Sequence, residues 1–105
     1  MNNQNLNSSY IMICASTNKQ SIIDAVEKAK TLFGTYVSNI VFDEINYIFF
    51  ISPAKFWQLN IFSDLEIFQN YLNDNKIGFS VVALDSVIGS QLISKNQNFK
   101  TVEIR

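Results

Sequence analysis

The sequence predicts an α+β fold, a two-layer sandwich in which helices cover one face of a mostly antiparallel sheet. Three observations predict it. Short, largely apolar runs rich in β-formers recur at 10–15, 47–51 and 79–84. Stretches with apolar residues three and four apart lie between them, at 22–33 and 65–72. The segment from the first such stretch to the second apolar run holds a β-rich arm and a polar interruption, which is the pattern of a tight hairpin and not of a crossover helix.

Tyr10 to Ala15 (YIMICA) is short and continuously apolar, as expected of a buried strand, and the polar STNKQS that follows ends it. From Ser21 the period changes. Ile22, Val26, Ala29 and Phe33 fall on one helical face, Asp24 with Lys28 and Glu27 with Lys30 pair on the wet side, Ser21 with Asp24 resembles a capping box, and Gly34 supplies the stop. Next, TYVSNIVFDEINYIFFIS reads as an antiparallel hairpin about Asp43, Glu44 and Asn46. Its first arm alternates through Tyr36, Ile40 and Phe42, and its second, Tyr47 to Ile51, is apolar throughout and hence central. Ser52-Pro53 opens a short helical turn. Ser63-Asp64-Leu65-Glu66 is a capping box for a second helix, with Phe62 stapled on Ile67, a stripe of Leu65, Phe68 and Leu72, and an end at Asn73-Asp74-Asn75. FSVVAL (79–84) is a further buried strand. Asp85 to Lys95 suits a short helix or loop, weakened as a helix by Gly89, and Phe99 to Ile104 alternates as a C-terminal edge strand after the NQN turn. The order β, α, β, β, α, β over 10–84 is that of a ferredoxin-like core. Residues 1–9 are expected to be a disordered tail and 10–105 a single domain.

Composition narrows the function. At 105 residues, 48% of them apolar, the chain can remove roughly two thirds of its unfolded surface from water. Only 16% are charged, with a net charge of −1 and the eight basic residues scattered, so no field gathers phosphates and nucleic acid is not an expected partner. A lone cysteine, Cys14, forms no internal disulfide, and no apolar run approaches the ~20 residues that cross a bilayer, so a cytoplasmic protein with no membrane contact is expected. Thirteen asparagines and no histidine fit an AT-rich bacterial or phage genome.

Chemical motifs are sparse. Without histidine, Ser-His-Asp and Cys-His catalysis are excluded, along with imidazole zinc sites. Cys14 stands near a strand end ahead of a helix, but a phosphate-binding cysteine loop requires an arginine six residues on, where this chain has Gln20; a buried, inert thiol is expected. Gly34, Gly78 and Gly89 are too far apart for a phosphate loop. The carboxylates are accounted for by turns, caps and surface pairs, Asp85 excepted. No cofactor, no metal and no catalytic residue is expected, and the chain is not read as an enzyme.

What remains is the aromatic stretch FFISPAKFWQLNIF, 49–62. Side chains of neighbouring helical residues diverge by about 100°, so Phe56, Trp57 and Leu59 do not all point inward if Lys55, Gln58 and Asn60 face water. The stretch serves as a lid on its own core, as a contact for another protein, or as a dimer contact formed with the uncovered sheet face; each keeps Trp57 largely dry. The expectation is a small non-catalytic protein-binding module, such as a bacterial immunity, inhibitor or regulatory protein, with Lys55, Phe56 and Trp57 as the protein-binding residues. The alternative is a homodimeric, ACT-like sensor of a small ligand.

Overall fold

The computed structural model describes residues 8–52, 59–85 and 89–99. Five strands and two helices follow one another as β1 (Ser8–Ser16), α1 (Lys19–Phe33), a 3₁₀ turn (Gly34–Tyr36), β2 (Val41–Phe42), β3 (Tyr47–Ile51), α2 (Leu59–Asp74), β4 (Gly78–Asp85) and β5 (Gly89–Lys95). The strands form one sheet in the order β2-β3-β1-β4-β5, with every neighbouring pair antiparallel. This is an α+β arrangement compatible with a two-layer sandwich.

The pleat explains which residues became core. Met12 and Cys14 of β1 stand opposite Ile51 and Phe49 of β3, and opposite Val81 and Phe79 of β4. Because paired residues share a face, these six make one apolar surface, and all six are buried. Onto it α1 presents Ile22, Ala25, Val26, Ala29 and Phe33, the expected three-and-four spacing with Ala25 added. From α2 come Leu65, Phe68 and Leu72, as the stripe predicts. Phe68 joins the layers: its ring meets Phe33 of α1 edge-on at 5.8 Å and Phe49 of β3 at 6.4 Å. The Tyr71 ring lies nearly parallel to it at 6.0 Å. Ile11, Ile13, Phe50 and Val82 point to the opposite face and are half-buried, while Ala15, Ile48 and Ser80 on that face are buried.

Several boundaries differ from expectation, each for a local reason. β1 starts at Ser8, so Ser8 and Ser9 are strand residues and not tail. Helix α1 is capped by Asn18 and not by Ser21: the Asn18 side chain accepts a hydrogen bond from the Ser21 N–H at 3.0 Å, and Ser21 lies inside the first turn. Asp24 accepts from Gln20 at 2.9 Å, and Lys28 extends to 5.9 Å from the centre of the Tyr71 ring. Ser63 does not start α2, which already runs from Leu59. Nothing in LNIF breaks a helix, and Ser63 is exposed, where an interior serine costs little.

The segment read as a short helix or loop, 85–95, is instead strand β5 from Gly89 onward. Gly89 has φ 84, outside the helical region and suited to the return of a hairpin beside β4. The pairing places Val81 opposite Ser94 and Val82 opposite Leu92, so Ile93 is the extra residue of a β-bulge. The proposed turn at 53–58, the tail 1–7 and the strand beyond Phe99 lie outside the described residues.

Helix α2 ends in a six-residue cap. Ile77 N–H donates to Leu72 O at 2.9 Å and Lys76 N–H to Asn73 O at 3.1 Å, with Lys76 left-handed at φ 57. Asn96 ties this corner together. Its Oδ1 accepts from Phe79 N–H at 3.0 Å, and its Nδ2 donates to Asn73 Oδ1 and to Ile77 O, both at 2.9 Å. The chain then passes so close to Gly78 that a Cβ there would lie 2.6 Å from Asn98 O and from Phe99 Cα.

Two outcomes follow from this corner. Gly78→Ala must displace backbone and is expected to lower stability by about 2–3 kcal/mol. Lys76→Gly relieves the left-handed conformation and is expected to raise it by about 1 kcal/mol. Urea unfolding of both variants checks these signs through the midpoint at unchanged slope.

Candidate functional site

The hairpin joining β2 to β3 is set by one side chain. Asp43 N–H donates to Asn46 O at 3.0 Å, and Asp43 Oδ1 accepts from the backbone N–H of Asn46 at 2.6 Å and of Ile45 at 3.1 Å. An aspartate that gathers the amides of its own turn closes it without glycine, and Glu44 takes the positive φ of 85. Those amides, Asn46 first and Ile45 second, hold the Asp43 carboxyl below its ordinary range. The same turn thrusts Ile45 outward, where it is 67% exposed.

Ahead of β2 the predicted regular arm is interrupted. Val37 bridges Ile51, but Val41 faces Ile48, so one more residue lies between the pairs on this side than on β3. Ser38 repairs the ladder across the bulge: its N–H donates to Phe50 O at 2.9 Å while its hydroxyl accepts from Phe50 N–H at 2.9 Å. Tyr36, expected in the strand, belongs to the 3₁₀ turn, and its carbonyl accepts from Ser52 N–H at 3.0 Å. The alternation through Tyr36, Ile40 and Phe42 therefore does not sort them into a buried row.

The result is an apolar edge. Tyr36, Ile40, Val41, Phe42 and Ile45 are all exposed, with Val41 at 53% and Phe42 at 55%, and the Phe42 ring lies against Tyr47 at 4.6 Å. Between this edge and α1 is a depression of about 210 Å³ lined by Ile23, Val26, Glu27, Lys30, Ser38, Asn39 and Ile40. A second depression, about 220 Å³, is polar, lined by Ala15, Ser16, Thr17, Asn46, Lys76, Gln97 and Asn98.

The sequence-predicted contact residues Lys55, Phe56 and Trp57 lie outside the described residues, so the structure neither gathers nor separates them. The hairpin edge was missed. Its signal was present, because 36–45 carries apolar residues at both odd and even positions, more than one covered face of an edge strand can absorb. Cys14 is fully buried between Phe49 and Phe79, and burial pushes its thiol far above the ordinary range. Among the described residues no three of Cys, Asp and Glu converge as a metal cluster would need, and no helix is long and apolar enough to cross a membrane.

No protein-family model, curated protein or solved structure matches the chain.

The Asp43 turn predicts a pH dependence. Its carboxyl is held down in the folded state, so its stabilisation is fully present above the ordinary carboxylate value of 3.8 and is lost as pH falls through the lower folded value. Asp43→Asn keeps an acceptor oxygen but does not titrate. The wild type is expected to lose more stability than this variant on acidification below about pH 4, as read by urea midpoints at stepped pH. Parallel acid profiles for the two proteins would show the turn carboxylate to be uninvolved.

Proposed function

We propose that this chain is a small non-catalytic protein-binding module that works through the apolar β2–β3 hairpin. The observation that carries the reading is the concentration of exposed Val41, Phe42 and Ile45 on one sheet edge, in a chain whose single thiol is sealed in the core. Large apolar side chains held out by a turn that hydrogen-bonds itself are suited to the centre of an interface, where aromatic and aliphatic anchors dominate the energy. Rigid presentation matters as much, since an ordered anchor loses little entropy on binding.

In this reading Lys55, Phe56 and Trp57 form a second contact region, and the protein acts in a bacterial cytoplasm as an immunity, inhibitor or regulatory protein does, by occupying a partner's surface. The βαββαβ part is read as ferredoxin-like. Support for that comes from the strand order β2-β3-β1-β4, in which each helix connects strands separated by one intervening strand, with β5 added outside β4.

The test is differential capture from lysate of the source cell with wild type, Phe42→Ser, Ile45→Ser and Trp57→Ala, each first shown to be folded by circular dichroism. A partner held by the wild type is expected to bind at least about tenfold more weakly to the hairpin variants. Equal retention by all four proteins would place the contact elsewhere.

A further inference from the structure

We propose that the C-terminal segment 100–105 (KTVEIR) lies across the sheet face turned away from α1 and α2, as a strap over β1 and β3. The inference is independent of the hairpin reading and names the occupant of a second apolar surface.

The path of the chain gives the first argument. Gly78 pairs with Ala15, and Ala15 alternates with Cys14 of the helix side, so a Cβ on Gly78 would point away from the helices. The atoms that it would meet at 2.6 Å are Asn98 O and Phe99 Cα. The chain therefore stands over that face at Asn98–Phe99, and a strand glycine is what so close a backbone approach requires. The turn that brings it there is closed by Phe99 N–H donating to Asn96 O at 3.2 Å, and its Gln97 and Asn98 share the polar depression with Ala15, Ser16 and Asn46. This places the turn on the β1 side of β4, whereas the open edge of β5, where an edge strand would lie, is on the other side.

Burial gives the second. Gly78, Ala15, Ile48 and Val41 form one row across this face. Ala15 and Ile48 are 6% and 4% exposed, and Ser80, two residues on from Gly78, is 2% exposed, although none of the three belongs to the core cluster under the helices. Farther along, Ile11, Ile13, Phe50 and Val82 are half-buried and leave apolar surface to cover.

Length and pattern give the third. Six residues remain beyond Phe99, and extended they reach about 20 Å, against about 14 Å for the three strand spacings from β4 to β2. Val102 and Ile104 alternate with Thr101, Glu103 and Arg105, so an extended strap turns two β-branched side chains to the sheet and the polar ones to water. Lys100 shares the inner side but stands at the margin, where its long stem lets the ammonium reach water. Of the other segments outside the described residues, 1–7 lead into Ser8 of β1, 53–58 join β3 to a helix of the other layer, and 86–88 join β4 to β5. Only 100–105 starts from a residue already on this face.

Nuclear Overhauser contacts among the Ile, Leu and Val methyls of the full chain test this. The expected result is cross-peaks from Val102 and Ile104 to Ile13 and Ile48 that persist on dilution. The proposal is overturned if those cross-peaks are missing, if Val102 and Ile104 contact Leu92 of β5 instead, or if the contacts arise only between differently labelled copies in a mixed sample. In parallel, Val102→Ser with Ile104→Ser is expected to lower the urea midpoint by about 1 M, and Thr101→Ser with Glu103→Gln to leave it in place. Equal midpoints for the two double variants would likewise overturn the strap. If the Val102–Ile104 variant fails to fold, the wild-type methyl contacts decide.

Discussion

Two helices can shield only part of a five-stranded sheet, and the distribution of apolar surface in this protein follows from that limit. Strands lie about 4.8 Å apart, so five of them are about 24 Å wide, whereas two packed helices cover about 20 Å. The interior strands β3, β1 and β4 take the shelter. Their helix-facing residues, from Phe49 and Ile51 through Met12 and Cys14 to Phe79 and Val81, are all buried. On the rim strand β2 only Phe42, opposite Tyr47, lies on the helix side, and it is exposed; Val41, opposite Ile48, and Leu92 of β5, opposite Val82, are exposed on the other face. Hydrophobic burial of roughly 25 cal/mol per Å² is thus realised at the centre and left unused at the edges.

The interior was legible in the sequence because it obeys simple periods. Strands that bury residues on both faces appear as nearly continuous apolar runs, and both helices announced their inner faces by spacing: Ile22, Val26, Ala29 and Phe33 in one, Leu65, Phe68 and Leu72 in the other. Termini were less legible. Ser21 and Ser63 carry capping patterns, but a pattern only permits a helix to begin. Asn18 outcompeted Ser21 by standing one turn earlier at the end of β1, and α2 had no breaker upstream of Ser63 to make a start there necessary.

The hairpin and β5 were the least legible parts, and for a shared reason: both depend on backbone irregularity. A bulge near Ser38 shifts the register between Val37 and Val41, so a sequence that alternates does not produce a row that alternates in space. Ile93 is the extra residue of a second bulge in β5, which spoils the alternation that would have marked 89–95 as a strand. Such insertions re-aim every side chain beyond them while leaving composition untouched. Val41 and Phe42 lie just beyond one of them, whereas Ile45 is held out by the Asp43 turn.

Several polar side chains are spent on holding turns, bulges and helix ends in place. Asp43 is occupied with the amides of its own turn, Asn18 with the first turn of α1, Ser38 with the Phe50 amide, and Asn96 with Phe79, Asn73 and Ile77. Each satisfies a backbone or side-chain partner that would otherwise be left over at a strand end, bulge or helix terminus. Groups committed in this way hold the edges in place. On the β2 edge, what such anchoring presents to the surroundings is an apolar outline at Val41, Phe42 and Ile45.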